Sequence, residues 1–316
     1  MCNNKKEEGW VVKSTGSRYL VRTKDNSVIE CTLRGKFRLQ GIKTTNPITV
    51  GDVVSFERQQ NHGFITAIKE RKNYIYRKST NLSKITHIIA ANIDVAFLVV
   101  SMVEPHTPLG FIDRFLVAAE SFRIKTILIF NKIDLCSAEI QEKCRKLQQL
   151  YEHIDYECIS TSVVTKQGID LLREKMQHHV SLFGGQSGVG KSSIINLLEP
   201  NLQLKTAQVS GYNSKGKHTT TFAEMFELSF GGFVIDTPGI KEFGLIQYKK
   251  EEVSHYFPEM LQLLSGCRFT NCTHTHEPHC AVKQAVEEQI ITPSRYQNYL
   301  SIIHNEDINI KDWMLE

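Results

Sequence analysis

At 316 residues, 41% hydrophobic and 23% charged, the chain is too apolar for a disordered polymer and too mixed for collagen or a coiled coil. The length fits about two ordinary domains, or three small ones. The net charge of +4 hides a split: residues 1–80 hold 16 Lys and Arg against 7 Asp and Glu, a net +9, and the rest hold 22 against 27, a net −5. An acidic partner such as nucleic acid therefore suits the first quarter, a well-solvated basic surface being the alternative. The longest apolar run, at 95–102, is about half of a membrane-spanning helix. The opening residues lead into no apolar stretch of a secretory signal. A cytoplasmic protein with no membrane association is expected, and its eight cysteines should be thiols or metal ligands.

Short strands are predicted at 10–12, 18–22, 28–33, 52–56 and 64–68, where β-branched and aromatic residues lie between glycines and polar turns. Five such strands suggest a small closed barrel; an OB-fold fits, and an SH3-like barrel would look much the same. Arg34-Gly35-Lys36-Phe37-Arg38 has the composition of a loop that holds a phosphate backbone and a base, or of an ordinary hairpin tip. The polar, basic stretch 73–83 reads as a linker. Apolar strands at 93–102 and 126–130 then alternate with helices at 111–122 and 138–151, and further buried strands are predicted at 180–183 and 233–235. This alternation argues for a mostly parallel sheet covered by helices. From about Lys249 only helical patterns remain, around a Cys/His cluster.

Gly185-Gln186-Ser187-Gly188-Val189-Gly190-Lys191-Ser192 matches the phosphate-loop pattern G-x-x-x-x-G-K-[ST] in full, with a predicted strand before it and a helix at 192–198 after it. The glycines let backbone N–H groups turn inward around phosphate oxygens. Lys191 neutralises the β- and γ-phosphates, and the Ser192 hydroxyl can ligate Mg2+. Asp236-Thr237-Pro238-Gly239 ends an apolar strand; such an Asp holds the Mg2+ shell, and the Gly239 N–H can meet the γ-phosphate. Asn131-Lys132-Ile133-Asp134 ends another strand. A carboxylate placed there accepts from the N1–H and 2-amino groups of guanine, donors that adenine lacks. Ser160-Thr161-Ser162 is the candidate for backbone contacts to the guanine oxygen.

In ordinary GTPases the phosphate loop precedes N-K-x-D; here N-K-x-D comes first, so the predicted core is a circularly permuted GTPase. The permutation puts the D-x-x-G switch directly before the C-terminal helices, where its movement could pull on them. Ile240 occupies the position at which Ras-like enzymes carry a water-orienting Gln, so hydrolysis needs another group or a partner. Between the phosphate motifs, one of Thr219, Thr220 or Thr221 could close on Mg2+, Thr220 being preferred. His218 is the candidate to orient water, a plain loop histidine being the alternative. Slow hydrolysis by the chain alone and strong stimulation by a partner are expected.

Residues 267–280 hold three cysteines and three histidines. Cys267, Cys272, His274 and Cys280 would make a closed tetrahedral zinc set of the structural kind, one ion per chain. His276 and His279 remain competitors by spacing. The ion is expected to organise a helical region with little core of its own.

A basic barrel, N-K-x-D before G-Q-S-G-V-G-K-S-S, then G-x-H-T-T-T, D-T-P-G and C-x4-C-x-H-x5-C, together resemble the ribosome small-subunit-dependent GTPase A family over essentially the whole chain. The resemblance implies a multidomain protein: an OB-fold barrel at 1–76, a circularly permuted α/β GTPase at 77–248 and a helical zinc-binding domain at 249–316. It implies GTP and GDP, the 30S subunit and its 16S rRNA as partners, late maturation of that subunit, and hydrolysis stimulated by it and used to leave it. A monomer is expected. The family's phosphate loop falls on Gly185 to Ser193, its guanine motif on Asn131, Lys132 and Asp134, its hydrolytic histidine on His218, and its zinc ligands on Cys267, Cys272, His274 and Cys280. The stretch 160–167 is longer than the family's usual one. Two rivals are a zinc-containing RNA-binding protein whose nucleotide site only switches shape, and a P-loop kinase of a small metabolite. The second gives no reason for N-K-x-D or for the basic barrel.

Overall fold

Alternating burial along β2 (Tyr19–Thr23), with Tyr19, Val21 and Thr23 inside, shows how the N-terminal strands build a core. It lies between β1 (Lys6–Ser14) and β3 (Val28–Leu33), antiparallel to both. β4 (Val53–Gln59) pairs antiparallel with β5 (His62–Ile68), β5 runs parallel to β3, and β4 returns to β1. The ring closes in the order β1-β2-β3-β5-β4, a five-stranded OB-type barrel around Val11, Tyr19, Val21, Ile29, Cys31, Ile48, Val54, Phe56 and Ile65. A register shift between Val11 and Lys13 bends β1 so that it can serve two neighbours. The computed structural model describes residues 6–33, 47–78, 86–204, 223–236 and 248–304; the loop Arg34–Arg38 lies outside them.

The described part of the expected linker is instead a strand, paired with one that follows it. β6 (Tyr74–Lys78) pairs antiparallel with β7 (Thr86–Ala91). The Asn73 carboxamide fixes the entry, donating to Ile93 O and accepting from Ile93 N–H, both at 2.8 Å. The polar composition hid a Tyr-Ile-Tyr run with Ile75 fully buried, and strand pairing followed the β-propensity of that run.

The remaining elements are β8 (Val95–Ser101), α1 (Leu109–Ser121), β9 (Lys125–Asn131), α2 (Ala138–His153), β10 (Glu157–Ser160), α3 (Ile169–Met176), β11 (Val180–Gly184), α4 (Lys191–Leu198), β12 (Glu224–Glu227), β13 (Phe233–Asp236), α5 (Lys250–Val253), α6 (Pro258–Leu261), α7 (Ala281–Glu287) and α8 (Pro293–Ile303). They fall into two compact units, Met1–Ala96 with Leu171–Phe183 and Ile195–Glu242, and Phe97–Asp170 with Gly184–Ile194 and Phe243–Glu316. In the first, the strand order continues from the barrel as β1-β12-β13-β11, with β13 parallel to β11 and antiparallel to β12.

In the second unit the strands run in the order β10-β9-β8, with β10 parallel to β9. All seven residues of β8 are buried, the pattern of a parallel strand covered on both faces. Ser137 caps α2, its hydroxyl accepting from Ile140 N–H at 3.3 Å. The C-terminal helices are short, yet they hold more core than expected: Val253, Phe257, Met260, Val282, Tyr299 and Ile303 pack with Val117 of α1 and with Cys272 and Cys280 themselves. Beside this core Arg295 is sunk between carboxylates, bonding Asp113 at 2.6 Å and Glu259 at 2.7 Å, with the Phe257 ring 4.5 Å below it. Among the described residues no helix is long and apolar enough to cross a membrane.

Candidate nucleotide site and metal centre

β9 delivers Asn131 to the end of the parallel strands, where its side chain is buried. Its Nδ2 donates to Val189 O at 2.8 Å, and its Oδ1 accepts from the Thr161 hydroxyl at 3.0 Å. The early N-K-x-D motif is thus tied by one carboxamide to the middle of the later phosphate loop. Gly190 makes this approach possible. Its φ is +103°, and a Cβ there would stand 2.3 Å from Asn131 Nδ2. Gly185, at φ +132°, likewise lets the loop pass close to Val99 O, which a Cβ there would approach to 2.4 Å.

Lys132 takes a left-handed conformation at φ 65° and donates through Nζ to Glu104 O at 2.8 Å. The single turn Ile133–Leu135 that follows leaves Asp134 exposed on the rim of a cavity of about 620 Å3, lined also by Gln141, Gln148, Ser160 and Thr165. The Thr161 and Ser162 hydroxyls and amides turn inward. Thr161 N–H donates to Phe130 O at 2.8 Å, and Ser162 N–H to Gln167 O at 3.1 Å. Both amides are therefore engaged within the protein. Thr161, as the residue that orients Asn131, was not singled out in the sequence. A hydroxyl following a short strand was its only signal.

β11 runs straight into Gly185, Gln186, Ser187, Gly188, Val189 and Gly190, and α4 starts at Lys191 with Ser192 and Ser193 in its first turn. Lys191 Nζ folds over the loop and donates to Gly185 O at 2.8 Å and Gln186 O at 2.6 Å. An ammonium beside a glycine-rich turn that leads into a helix is the arrangement of an anion cradle. In the other unit the backbone of Asp236 ends β13, one strand over from β11. His218, Thr219, Thr220, Thr221 and Gly239, and the side chain of Asp236, lie outside the described residues.

Three thiols and one imidazole converge in the C-terminal region. One donor atom from each of Cys267, Cys272, His274 and Cys280 lies within 4.8 Å of the others. Cys267 and Cys280 sulfurs are 4.0 Å apart, and His274 Nδ1 lies 3.7 and 3.3 Å from them. Tetrahedral zinc with ordinary Zn–S and Zn–N bonds has edges of about 3.5–3.8 Å, so the cage fits that ion. Burial pushes the Cys272 thiol up to about 12, raises that of Cys280, and lowers the His274 imidazole, so all three are uncharged unless a cation draws the thiol protons off. His276 and His279 are exposed and outside the cage.

The loop that presents the cage is held by groups that spacing did not flag. Glu277 accepts from Thr273 N–H at 2.7 Å, the Thr273 hydroxyl at 2.6 Å and Thr275 N–H at 3.0 Å. Burial alone would raise its carboxyl, but these bonds outweigh it and hold it at about 2. Tyr296 and Tyr299 donate to His274 O and Thr273 O, each at 2.6 Å. The T-H-T-H-E string carried the only trace, an acid placed to collect nearby amides.

Residues 68–246 match the model of the RsgA GTPase, and residues 8–65 that of the RsgA N-terminal domain. The chain belongs to the RsgA GTPase family. A Flavobacterium johnsoniae protein named small ribosomal subunit biogenesis GTPase RsgA is 50% identical over 95% of this chain and 93% of its own length. A Bacteroides fragilis protein of that name is 48% identical over 95% and 97%. Among solved structures, YjeQ from Thermotoga maritima superposes with a TM-score of 0.80 at 35% identity, covering 97% of this chain and all of that one. YloQ, described as a circularly permuted GTPase, gives 0.75 at 30% identity, covering 97% of each chain. This RsgA-family chain has the same permuted architecture: barrel, GTPase core with N-K-x-D ahead of the phosphate loop, and a Cys3His cluster that could bind zinc.

Proposed function

We propose that this GTP hydrolase is a maturation factor for the small ribosomal subunit, binding it late in assembly and leaving when GTP is hydrolysed. The observation that carries the reading is identity of 50% across 95% of the chain with a small ribosomal subunit biogenesis GTPase, over a core in which Asn131 joins the guanine motif to the phosphate loop. The organisation we assign is a barrel at 1–76 for 16S rRNA of the 30S particle, a GTPase domain at 77–248 and a zinc-binding helical domain at 249–316. We assign a cytoplasmic monomer.

The nucleotide is held at both ends. Asp134 accepts from guanine N1–H and the 2-amino group, Asn131 and Lys132 shape the base site, and Gly185 to Ser193 with Lys191 carry the phosphates. Mg2+ supplies charge neutralisation at the β- and γ-phosphate oxygens when bound, with Ser192, Thr220 and Asp236 as its oxygen donors, directly or through water. His218 orients the attacking water in place of the absent glutamine, and Gly239 N–H meets the γ-phosphate. Cys267, Cys272, His274 and Cys280 hold one structural Zn2+.

GTP turnover by the full chain, with and without purified small subunits, tests this. Slow turnover alone and at least tenfold stimulation are expected. Lys191→Ala should lose GTP binding, whereas His218→Ala should keep it and lose stimulated turnover. Fast turnover without subunits, or none with them, would sink the reading.

A further inference from the structure

β12 is four residues long, and both ends of its hairpin with β13 open onto hydrolytic segments. Glu224 follows the stretch with His218 and Thr220 by three residues, and Asp236 starts D-T-P-G. The outer edge of β12 would be open to solvent but is taken by barrel strand β1. Lys13 stands opposite Glu224, and Glu224 opposite Asp236, so one row of the sheet runs from the barrel to the switch aspartate.

Side chains fasten this edge at both ends of β12. Lys13 Nζ reaches Glu224 Oε2 at 2.9 Å. Arg22, on β2, donates to Glu227 and lies 5.8 Å over the ring of Phe233, the residue opposite Glu227. The turn of the hairpin is anchored separately: Ser229 N–H donates to Glu199 at 2.6 Å, and Phe233 N–H to His179 O at 2.8 Å. The hairpin is therefore pinned at its turn, where Arg22 also grips it, and its open end is held to the barrel by Lys13.

We infer that Lys13 and Arg22 are positioning residues for GTP hydrolysis, relaying engagement of the barrel through β12 to the segments on either side of it. The residue types fit a relay better than a stability device. Lys13 and Glu224 side chains are 38% and 31% exposed, and pairs so exposed contribute little to folding. They do fix which residue of a very short strand faces which on β1. The inference rests on the reading that the small subunit stimulates hydrolysis. We take the relay to couple nucleotide binding as well as turnover to the barrel; binding coupling is reciprocal, so nucleotide state should also be felt in β1 without any subunit.

The experiment uses the full chain, wild type, with Lys13→Glu, Glu224→Lys, and the double swap. Each single variant should keep basal turnover within about twofold, the KM for GTP and subunit co-sedimentation, yet lose subunit-stimulated kcat at least tenfold. The double swap should restore it to within threefold. In parallel, amide exchange in β1 should differ at least threefold between GDP and a non-hydrolysable GTP analogue in the wild type and the swap, but not in the single variants. Wild-type stimulation retained in the single variants overturns the relay, as does a swap as defective as either single variant, the result for direct phosphate contact by Lys13. Nucleotide-independent exchange in wild-type β1 also overturns it. Nucleotide-dependent exchange in β1 with no stimulation by subunits sinks the partner reading and leaves the relay standing.

Discussion

Asp134 sits at the rim of its cavity with its carboxylate exposed, so its selectivity is a matter of which donors the ligand presents. Guanine offers two; xanthine offers a carbonyl in place of the 2-amino group. Asp134→Asn should therefore weaken GTP by at least about 100-fold and gain XTP, because an amide can donate where the carboxylate could only accept. Competition of labelled GTP by GTP and XTP measures this, and an Asn variant still preferring GTP would show that the base lies elsewhere. Glu199 offers a pH test. Burial would raise its carboxyl, but bonds from Ser229 and Asn201 outweigh it and leave it below its ordinary value. A lowered carboxyl stabilises the fold above the unfolded pKa and loses that contribution as pH falls through the folded one. Glu199→Gln should thus lower the melting temperature at pH 7, by about 2–4 °C for a loss of about 1 kcal/mol, and the deficit should be smaller at an acid pH, below the folded pKa. An equal deficit at both pH values would assign the effect to geometry rather than charge. Much of this site was legible: glycine spacing gave the phosphate loop, and thiol density the cage. The orienting roles of Thr161, Glu277 and Tyr299 were not, because a residue that orients another has no spacing rule of its own.

At the scale of elements, what could be read followed from periodicity. The five barrel strands were plain in the sequence as β-branched and aromatic runs between turns; β2, β3 and β5 alternate in and out, whereas β4 buries Val54, Ser55 and Phe56 in succession. β7 was missed, and β6 was taken as linker, because one buried Ile75 amid Tyr, Arg and Lys gives too short a pattern to outweigh polarity. The C-terminal helices were visible only as a region, since α5 and α6 are single turns that stand by packing rather than by propensity. How α8 docks on α1 was also invisible, because Arg295 and Asp113 are 182 residues apart. Arg295 is 2% and Asp113 1% exposed, and Asn298 and Tyr151 also bond that carboxylate at 2.5 and 2.8 Å. Removing the cation strands two buried carboxylates. Arg295→Met should cost about 3–5 kcal/mol, and adding Asp113→Asn with Glu259→Gln should recover a large part of it. Denaturant midpoints of the single and triple variants decide this; a single variant within about 1 kcal/mol of wild type would mean water reaches the carboxylates.

For the whole molecule, two separate apolar cores matter most. The barrel closes on itself around Phe56 and Ile65, and its core thiol, Cys31, is not part of the Cys/His cage. The C-terminal core has Cys272 and Cys280 built into it beside Phe257 and Tyr299. A bound ion would convert neutral, proton-bearing thiols into thiolates neutralised in place, and structural zinc sites supply folding energy on the order of 10 kcal/mol. Apolar packing and the Arg295 carboxylates persist without the ion, so chelation should loosen this region rather than erase it. A strong chelator, or Cys272→Ser, should open the 267–280 loop to protease and lower a C-terminal thermal transition by more than about 10 °C. The barrel amides should keep their exchange protection, since nothing in that core depends on the cage. Calorimetry with and without chelator, read beside exchange in β2 and β5, distinguishes the outcomes: equal loss in both cores would show one cooperative unit, and no loss in either would show that the cage holds its shape by packing alone.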